Sequence, residues 1–322
     1  ILMATDLVCG ILCLAISFIR NDSWMIGALI FANIVQAIAF AFSRPANKAI
    51  ITELVEKDEL VLYNSRLELV LQVVSVSSPV LSFLILQFAS LRITLVLDAL
   101  SFFLAFGLVA LLPKKEEKTL GEKKLTFKVI CADIKEGVRY IVKQKEIFFL
   151  LVMASSVNFF FAAFNYLLPF SNQLYGVQGA YATILTMGAI GSIVGALLAS
   201  KIKASMEMLL FLLALTGLGV MIMGFTLPSY LTFSGNFICE LFMTIFNIHF
   251  FTQVQIKVEG EYLGRVLSSI YTLAILFMPI ATGLMTWLPS VHLYSFLIIG
   301  LGVVALSFLA LGYVRTHFEK ET

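Results

Sequence analysis

The sequence is poor in charge. Only 13% of its 322 residues are Asp, Glu, Lys or Arg, while 60% are hydrophobic. A soluble domain of this length could not bury so much apolar surface, so the solvent for most of the chain is lipid. The formal net charge is only +2, and no basic patch sits on a soluble domain, so nucleic acid is not an expected partner. The three histidines, His249, His292 and His317, are scattered and support neither a metal site nor a catalytic dyad. Four cysteines, Cys9, Cys13, Cys131 and Cys239, lack the spacing of a disulfide framework or a zinc site and read as small apolar residues in helices. There is no Walker motif, so ATP-driven transport by this chain alone is not expected. An Asp-rich magnesium motif of the kind membrane prenyl-transfer enzymes need is also lacking. The expectation is a protein that is not an enzyme and holds no cofactor. No basic n-region precedes the first apolar run, so no cleavable signal peptide is read. The opening at Ile1, already inside that run, looks cut from something longer.

What is present is a series of long apolar runs. About twenty apolar residues cross a bilayer as a helix. Ten runs qualify, approximately Ile1–Ile19, Trp24–Phe42, Leu67–Phe88, Ile93–Leu112, Ile147–Phe170, Ala180–Ser200, Met208–Leu227, Tyr230–Phe250, Arg265–Trp287 and Leu293–Val314. They are long, unbroken and without strand alternation, which predicts an all-α membrane protein rather than a barrel.

Pro113 to Glu146 is the only long charged segment, with ten Lys and Arg. Short basic segments beside spans stay in the cytoplasm. With this loop inside and the spans alternating, 20 of the 22 Lys and Arg fall on the cytoplasmic side, leaving only Arg20 and Arg92 outside, and both termini come out cytoplasmic. Residues 1–112 then form an N-terminal bundle of four spans, 113–146 a cytoplasmic basic loop, and 147–322 a C-terminal bundle of six. Within the loop, Phe127, Ile130, Ile134, Val138 and Ile141 recur at helical spacing opposite Lys128, Lys135, Arg139 and Lys143, which predicts an amphipathic helix on the membrane surface.

The two bundles share a pattern. Glu53-Leu-Val-Glu-Lys-Asp-Glu-Leu and Ile256-Lys-Val-Glu-Gly-Glu-Tyr-Leu each precede a span interrupted by proline, Pro79 in the third and Pro279 in the ninth. The register differs by two helices, as in a six-plus-six repeat with its first two helices lacking here. Polar stripes agree with that register: Asn33 and Gln36 in the second span, Ser155, Asn158 and Asn165 in the fifth, Asn236, Glu240 and Asn247 in the eighth, each on one helical face.

With two helices added, the striped spans become the fourth, seventh and tenth, and the chain resembles the major facilitator superfamily. The segments Thr5-Asp6-Leu7, Ser43-Arg44-Pro45-Ala46, Leu97-Asp98-Ala99-Leu100-Ser101-Phe102, Ile134-Lys135-Glu136-Gly137 and Glu261-Tyr262-Leu263-Gly264-Arg265-Val266 are similar to the macrolide-efflux branch of drug:proton antiporters. The resemblance implies a major facilitator fold with ten of twelve helices present, working as a monomer in the cell membrane. It implies secondary active, proton-coupled efflux of small amphiphilic drugs such as macrolides. Siderophore or lysophospholipid export on the same fold, or a truncated non-transporting membrane protein, are the alternatives. The sequence departs from the family at Ser78-Pro79, where a Gly-Pro signature is usual, and at Gly195 to Lys203, where an aspartate is lost.

Three carboxylates are candidates for proton or substrate binding. Glu240 lies near the middle of its span, about 15 Å from either surface. It reads as an exchanging carboxylate or as a structural, hydrogen-bonded glutamate. Asp98 reads as a proton carrier or as the partner of Arg92 in a structural ion pair. Glu68, near Arg66 and the inner surface, reads as a gate or interfacial salt bridge ahead of a transport site. Asn33, Gln36, Asn158, Asn165, Asn236 and Asn247 are candidates to line a cavity, or to bond helix to helix. Asp6 and Arg265 are candidate inner-gate residues, and Pro79 and Pro279 candidate hinges or static kinks.

Overall fold

A computed structural model describes residues 1–88, 90–112, 127–203, 205–225, 229–287 and 291–317. A helix occupies the described part of each of the ten predicted runs, and two helices occupy the ninth. The helices are α1 (Leu2–Ser17), α2 (Asp22–Leu54), α3 (Leu60–Phe88), α4 (Leu91–Ala110), α5 (Phe127–Lys143), α6 (Lys145–Leu167), α7 (Ser171–Tyr175), α8 (Ala180–Ala199), α9 (Met206–Met223), α10 (Ser229–Lys257), α11 (Gly260–Leu276), α12 (Met278–Thr286) and α13 (Tyr294–His317). Among the described residues, eight helices or joined helices are long and apolar enough to cross a membrane, and α1, with 16 residues, is apolar but shorter. The chain is a multi-pass membrane protein. The basic stretch 113–126 lies outside the described residues.

Several helices run past the apolar limits that the sequence suggests. The second predicted span ends at Phe42, yet α2 continues through Ser43, Arg44 and Pro45 to Leu54. Proline removes one intrahelical hydrogen bond, but a packed helix tolerates that loss, and Pro45 is buried against its neighbours. α3 begins at Leu60 rather than Leu67, and α10 runs on to Lys257 rather than Phe250. Polar residues that look like loop thus belong to helices.

The two prolines differ. α3 runs unbroken through Pro79. The ninth span breaks at Phe277, with Pro279 in the first turn of α12, where its missing N–H is one the helix end leaves unbonded in any case.

In the N-terminal half, α1 packs between α2 and α4. At one end Arg92 donates to the carbonyls of Ile19 (3.2 Å) and Arg20 (3.1 Å). Arg20 and Arg92 therefore lie at the same end of the bundle. In the C-terminal half, α10 packs on α8 and α9, and α9 on α13. Small residues allow the closest of these approaches: a β-carbon at Gly191 would collide with the Phe237 carbonyl, and one at Gly188 with the Asn236 side chain. The halves meet through α3 against α8 and α10, and through α2 against α11. The amphipathic α5 packs on α11, with Ile141 buried, Tyr140 stacked on Tyr262 at 4.9 Å and Gly137 against Ser269 and the Arg265 carbonyl.

Candidate functional site

Glu240 projects from the middle of α10 at the seam with α8. Its Oε2 accepts from the Ser192 hydroxyl at 3.3 Å. One turn earlier, Asn236 is 2% exposed and donates to the Ile184 carbonyl of α8 at 2.8 Å, while its Oδ1 has no donor among the described residues. A buried acceptor without a donor carries an energetic penalty that a donor would relieve. Glycine at 188 makes room for both side chains, since its position faces Asn236 and Glu240 together.

Glu68 is the second carboxylate candidate, on α3. It is half-buried on α3, accepts from Gln72 Nε2 at 2.9 Å, and lies within electrostatic reach of Glu240, of Lys48 on α2 and of Tyr271 on α11. Arg44 of α2 is a further charged neighbour of Tyr271. The two carboxylates thus stand on α3 and α10, helices that pack on one another across the halves.

The other sequence candidates are distributed differently. Asn158 and Asn247 are half-buried and Asn165 is exposed. Asn33 is exposed and donates to Leu29 of its own helix at 2.9 Å, and Gln36 turns toward α1, donating to Cys13 Sγ at 3.4 Å. Asp98 is exposed on α4 beside Cys13 of α1, and its neighbour Arg92 binds backbone carbonyls instead. Asp6 is half-buried on α1 near Cys9. Arg265 pairs with Glu136 of α5 at 3.1 Å, joining α11 to the amphipathic helix.

One cluster has no counterpart among the sequence candidates. Asn64, 1% exposed at the start of α3, donates to Gln255 Oε1 at 2.7 Å and to Thr252 Oγ1 at 3.0 Å on α10. Gln255 donates to the Lys48 carbonyl at 2.7 Å, and Lys48 Nζ returns to Asn64 Oδ1 at 3.3 Å. Lys48 also lies over the Phe251 ring, 5.2 Å from its centre. The three residues Lys48, Asn64 and Gln255 close a ring of hydrogen bonds across α2, α3 and α10. These residues sit just beyond the apolar runs, in the polar turns that sequence reading leaves as loop. The signal available was helical spacing of polar residues there, as in Thr252 and Gln255.

Residues 1–274 match the Major Facilitator Superfamily. Macrolide efflux protein A of Enterococcus faecalis is 25% identical over 300 residues, covering 87% of this chain and 88% of that protein. Macrolide efflux protein A of Streptococcus pyogenes is 25% identical over 299 residues, covering 87% of this chain and 71% of that protein. Among solved structures, a bacterial homologue of the iron transporter ferroportin in its outward-facing state superposes with a TM-score of 0.67 at 16% identity, covering 96% of this chain and 79% of its own.

Proposed function

Because the chain belongs to the Major Facilitator Superfamily, we propose that it is a proton-coupled exporter of small amphiphilic compounds of the macrolide kind, with both ends of the described chain on the cytoplasmic side. The observation that carries this reading is Glu240. It is half-buried within a membrane span, held by one serine hydroxyl and paired with no basic side chain among the described residues. A carboxylate so placed binds either a proton or a cation, because leaving it charged and unpaired in a poorly solvated site is costly. The donor-free Asn236 Oδ1 one turn away suits a protonated partner, and Glu68 supplies a second acidic group from the opposite half. Exchange of a proton for a cationic amphiphile at these groups couples the two movements. Two Macrolide efflux protein A relatives support the drug class at 25% identity.

The test is accumulation of a radiolabelled macrolide in efflux-deficient bacteria that express the protein. Lower steady-state accumulation, restored to the control level by dissipating the proton gradient, is the expected result. Accumulation equal to the empty-vector control would overturn the macrolide assignment. A parallel panel of labelled lysophospholipid and siderophore then reads the two other substrate classes.

A further inference from the structure

Around α5 the acids and the bases have different partners. Glu136 pairs with Arg265 of α11 at 3.1 Å, and Glu146 pairs with Lys257 of α10. Both carboxylates are thus taken by cations of other helices. Lys135, Arg139, Lys143 and Lys145 are exposed and have no ion-pair partner among the described residues. Lys135, Arg139 and Lys143 recur every four residues, a stripe about 12 Å long on one side of α5. That side is opposite the one that packs on α11, where Gly137 meets the Arg265 carbonyl and Ile141 is buried. The sequence pattern lays the apolar face of α5 on the membrane. In the structure α11 holds that face, and the basic face is the one left outward.

We propose that this outward basic face binds the headgroups of anionic phospholipids. Its cations, unmatched by acids, give it a positive charge that a negatively charged lipid surface complements. Val142, 55% exposed, stands among them, and the exposed Phe148 and Val152 follow Lys145 along the start of α6. Cations beside exposed apolar side chains are the composition of a membrane interface, where the charge meets phosphates and the apolar group enters the acyl boundary. The cations spread along a surface rather than converging on a pocket, so they fit a layer of headgroups better than one soluble anion. Each cation near an anionic surface adds about fivefold to the preference for it. The other side of α5 is fastened to α11 by the Glu136–Arg265 pair and the Tyr140–Tyr262 stack, so lipid held on the basic face braces α11 and the start of α6 together.

The test needs neither a substrate nor a transport assay. Val142→Cys carries a bimane fluorophore in a full chain whose native Cys9, Cys13, Cys131 and Cys239 are changed to serine or alanine. The chain is reconstituted in phosphatidylcholine vesicles. Quenching is compared for equal small amounts of phosphatidylglycerol and phosphatidylcholine that bear a nitroxide near the headgroup. The phosphatidylglycerol probe is expected to quench with an apparent affinity about fivefold higher or more, falling toward equality at high salt. Lys135→Glu with Arg139→Glu is expected to abolish the preference. Lys201→Glu with Lys203→Glu, exposed on the α8–α9 connection, is expected to leave it intact. Equal quenching by the two lipids, or a preference that neither salt nor Lys135→Glu with Arg139→Glu removes, would overturn the proposal. So would the absence of quenching by either lipid, which would place the face in water. Displacement of the labelled phosphatidylglycerol by glycerol phosphate at equal concentration would assign the face to a soluble anion and overturn it too. The salt titration keeps the native charges, so it decides the matter should the double variant fail to fold.

Discussion

Among the described residues, the helices after the basic stretch are covered by the rest of this chain to a greater extent than those before it. Among the described spans of the C-terminal half, between 31% and 56% of the most apolar stretch is buried inside the protein, whereas the figure is 17% for α2 and 11% for α4 in the N-terminal half. The C-terminal core is one continuous cluster running from Ile141 to Val314, while the N-terminal half has a small one around Ile16, Met25, Ala32 and Leu95. In water such exposure would be ruinous. In lipid an outward-facing Ile or Phe costs little, because acyl chains are as apolar as the side chains, and association depends on close packing and hydrogen bonds. The C-terminal half has both, in its glycine contacts and in the Asn236–Ile184 bond. The N-terminal half makes fewer of either among the described residues, and polar side chains are exposed within apolar helices in both halves, Asn33 and Asp98 in one and Asn165 in the other. It follows that, within this chain, a change of side-chain volume should matter more at the covered positions of the C-terminal helices than at the uncovered positions of α2.

The largest contrast is expected at aromatic residues. Phe164 is 1% exposed and its ring contacts those of Phe161 and Phe296, each at 5.8 Å between centres. Phe164→Ala should cost about 3 kcal/mol of stability, measured by unfolding in mixed detergent micelles. Ile30→Ala on the exposed face of α2 should cost less than about 1 kcal/mol, since few protein contacts are lost. Equal losses would remove the distinction between the halves.

A smaller contrast is expected at glycine. Gly191→Ala drives a methyl into the Phe237 carbonyl and should cost about 2 kcal/mol. Gly27→Ala on α2 meets nothing within 4 Å and should shift stability by less than about 1 kcal/mol, toward greater helix stability. Thermal unfolding of the two variants side by side decides the matter. The smallest contrast concerns asparagine. Asn236→Leu removes a bond between helices and should cost about 1 kcal/mol. Asn33→Leu removes only a bond to its own helix and should leave stability unchanged or slightly raised, by the same assay.

Much of this was legible in the sequence. The apolar runs located eight of the helices long and apolar enough to cross a membrane, because a helix in lipid must be both, and the family segments pointed to the superfamily that residues 1–274 match. The helix face shared by Asn236 and Glu240 was readable from their spacing of four. Ser192 was not, because it belongs to α8 and meets Glu240 only when the glycines of that helix let α10 approach. The hydrogen-bonded cluster across α2, α3 and α10 was hidden for a different reason. Lys48, Asn64, Thr252 and Gln255 lie outside the apolar stretches, and hydropathy ends a span where the lipid ends, not where the helix does. Local pattern also says nothing about α3 meeting α10, a contact between residues 188 and 191 positions apart. The proline signals were alike in the sequence and unlike in the structure, since only around Pro279 does the helix break.

The most direct test of the account concerns Glu240. Purified protein is reconstituted in liposomes with a pH-sensitive dye inside, and a cationic macrolide is added outside without an imposed gradient. The account predicts substrate-dependent proton movement by the native protein and none by Glu240→Gln, which keeps size and hydrogen bonding but cannot exchange a proton. Proton movement of native size in Glu240→Gln would contradict the assignment of exchange to this residue.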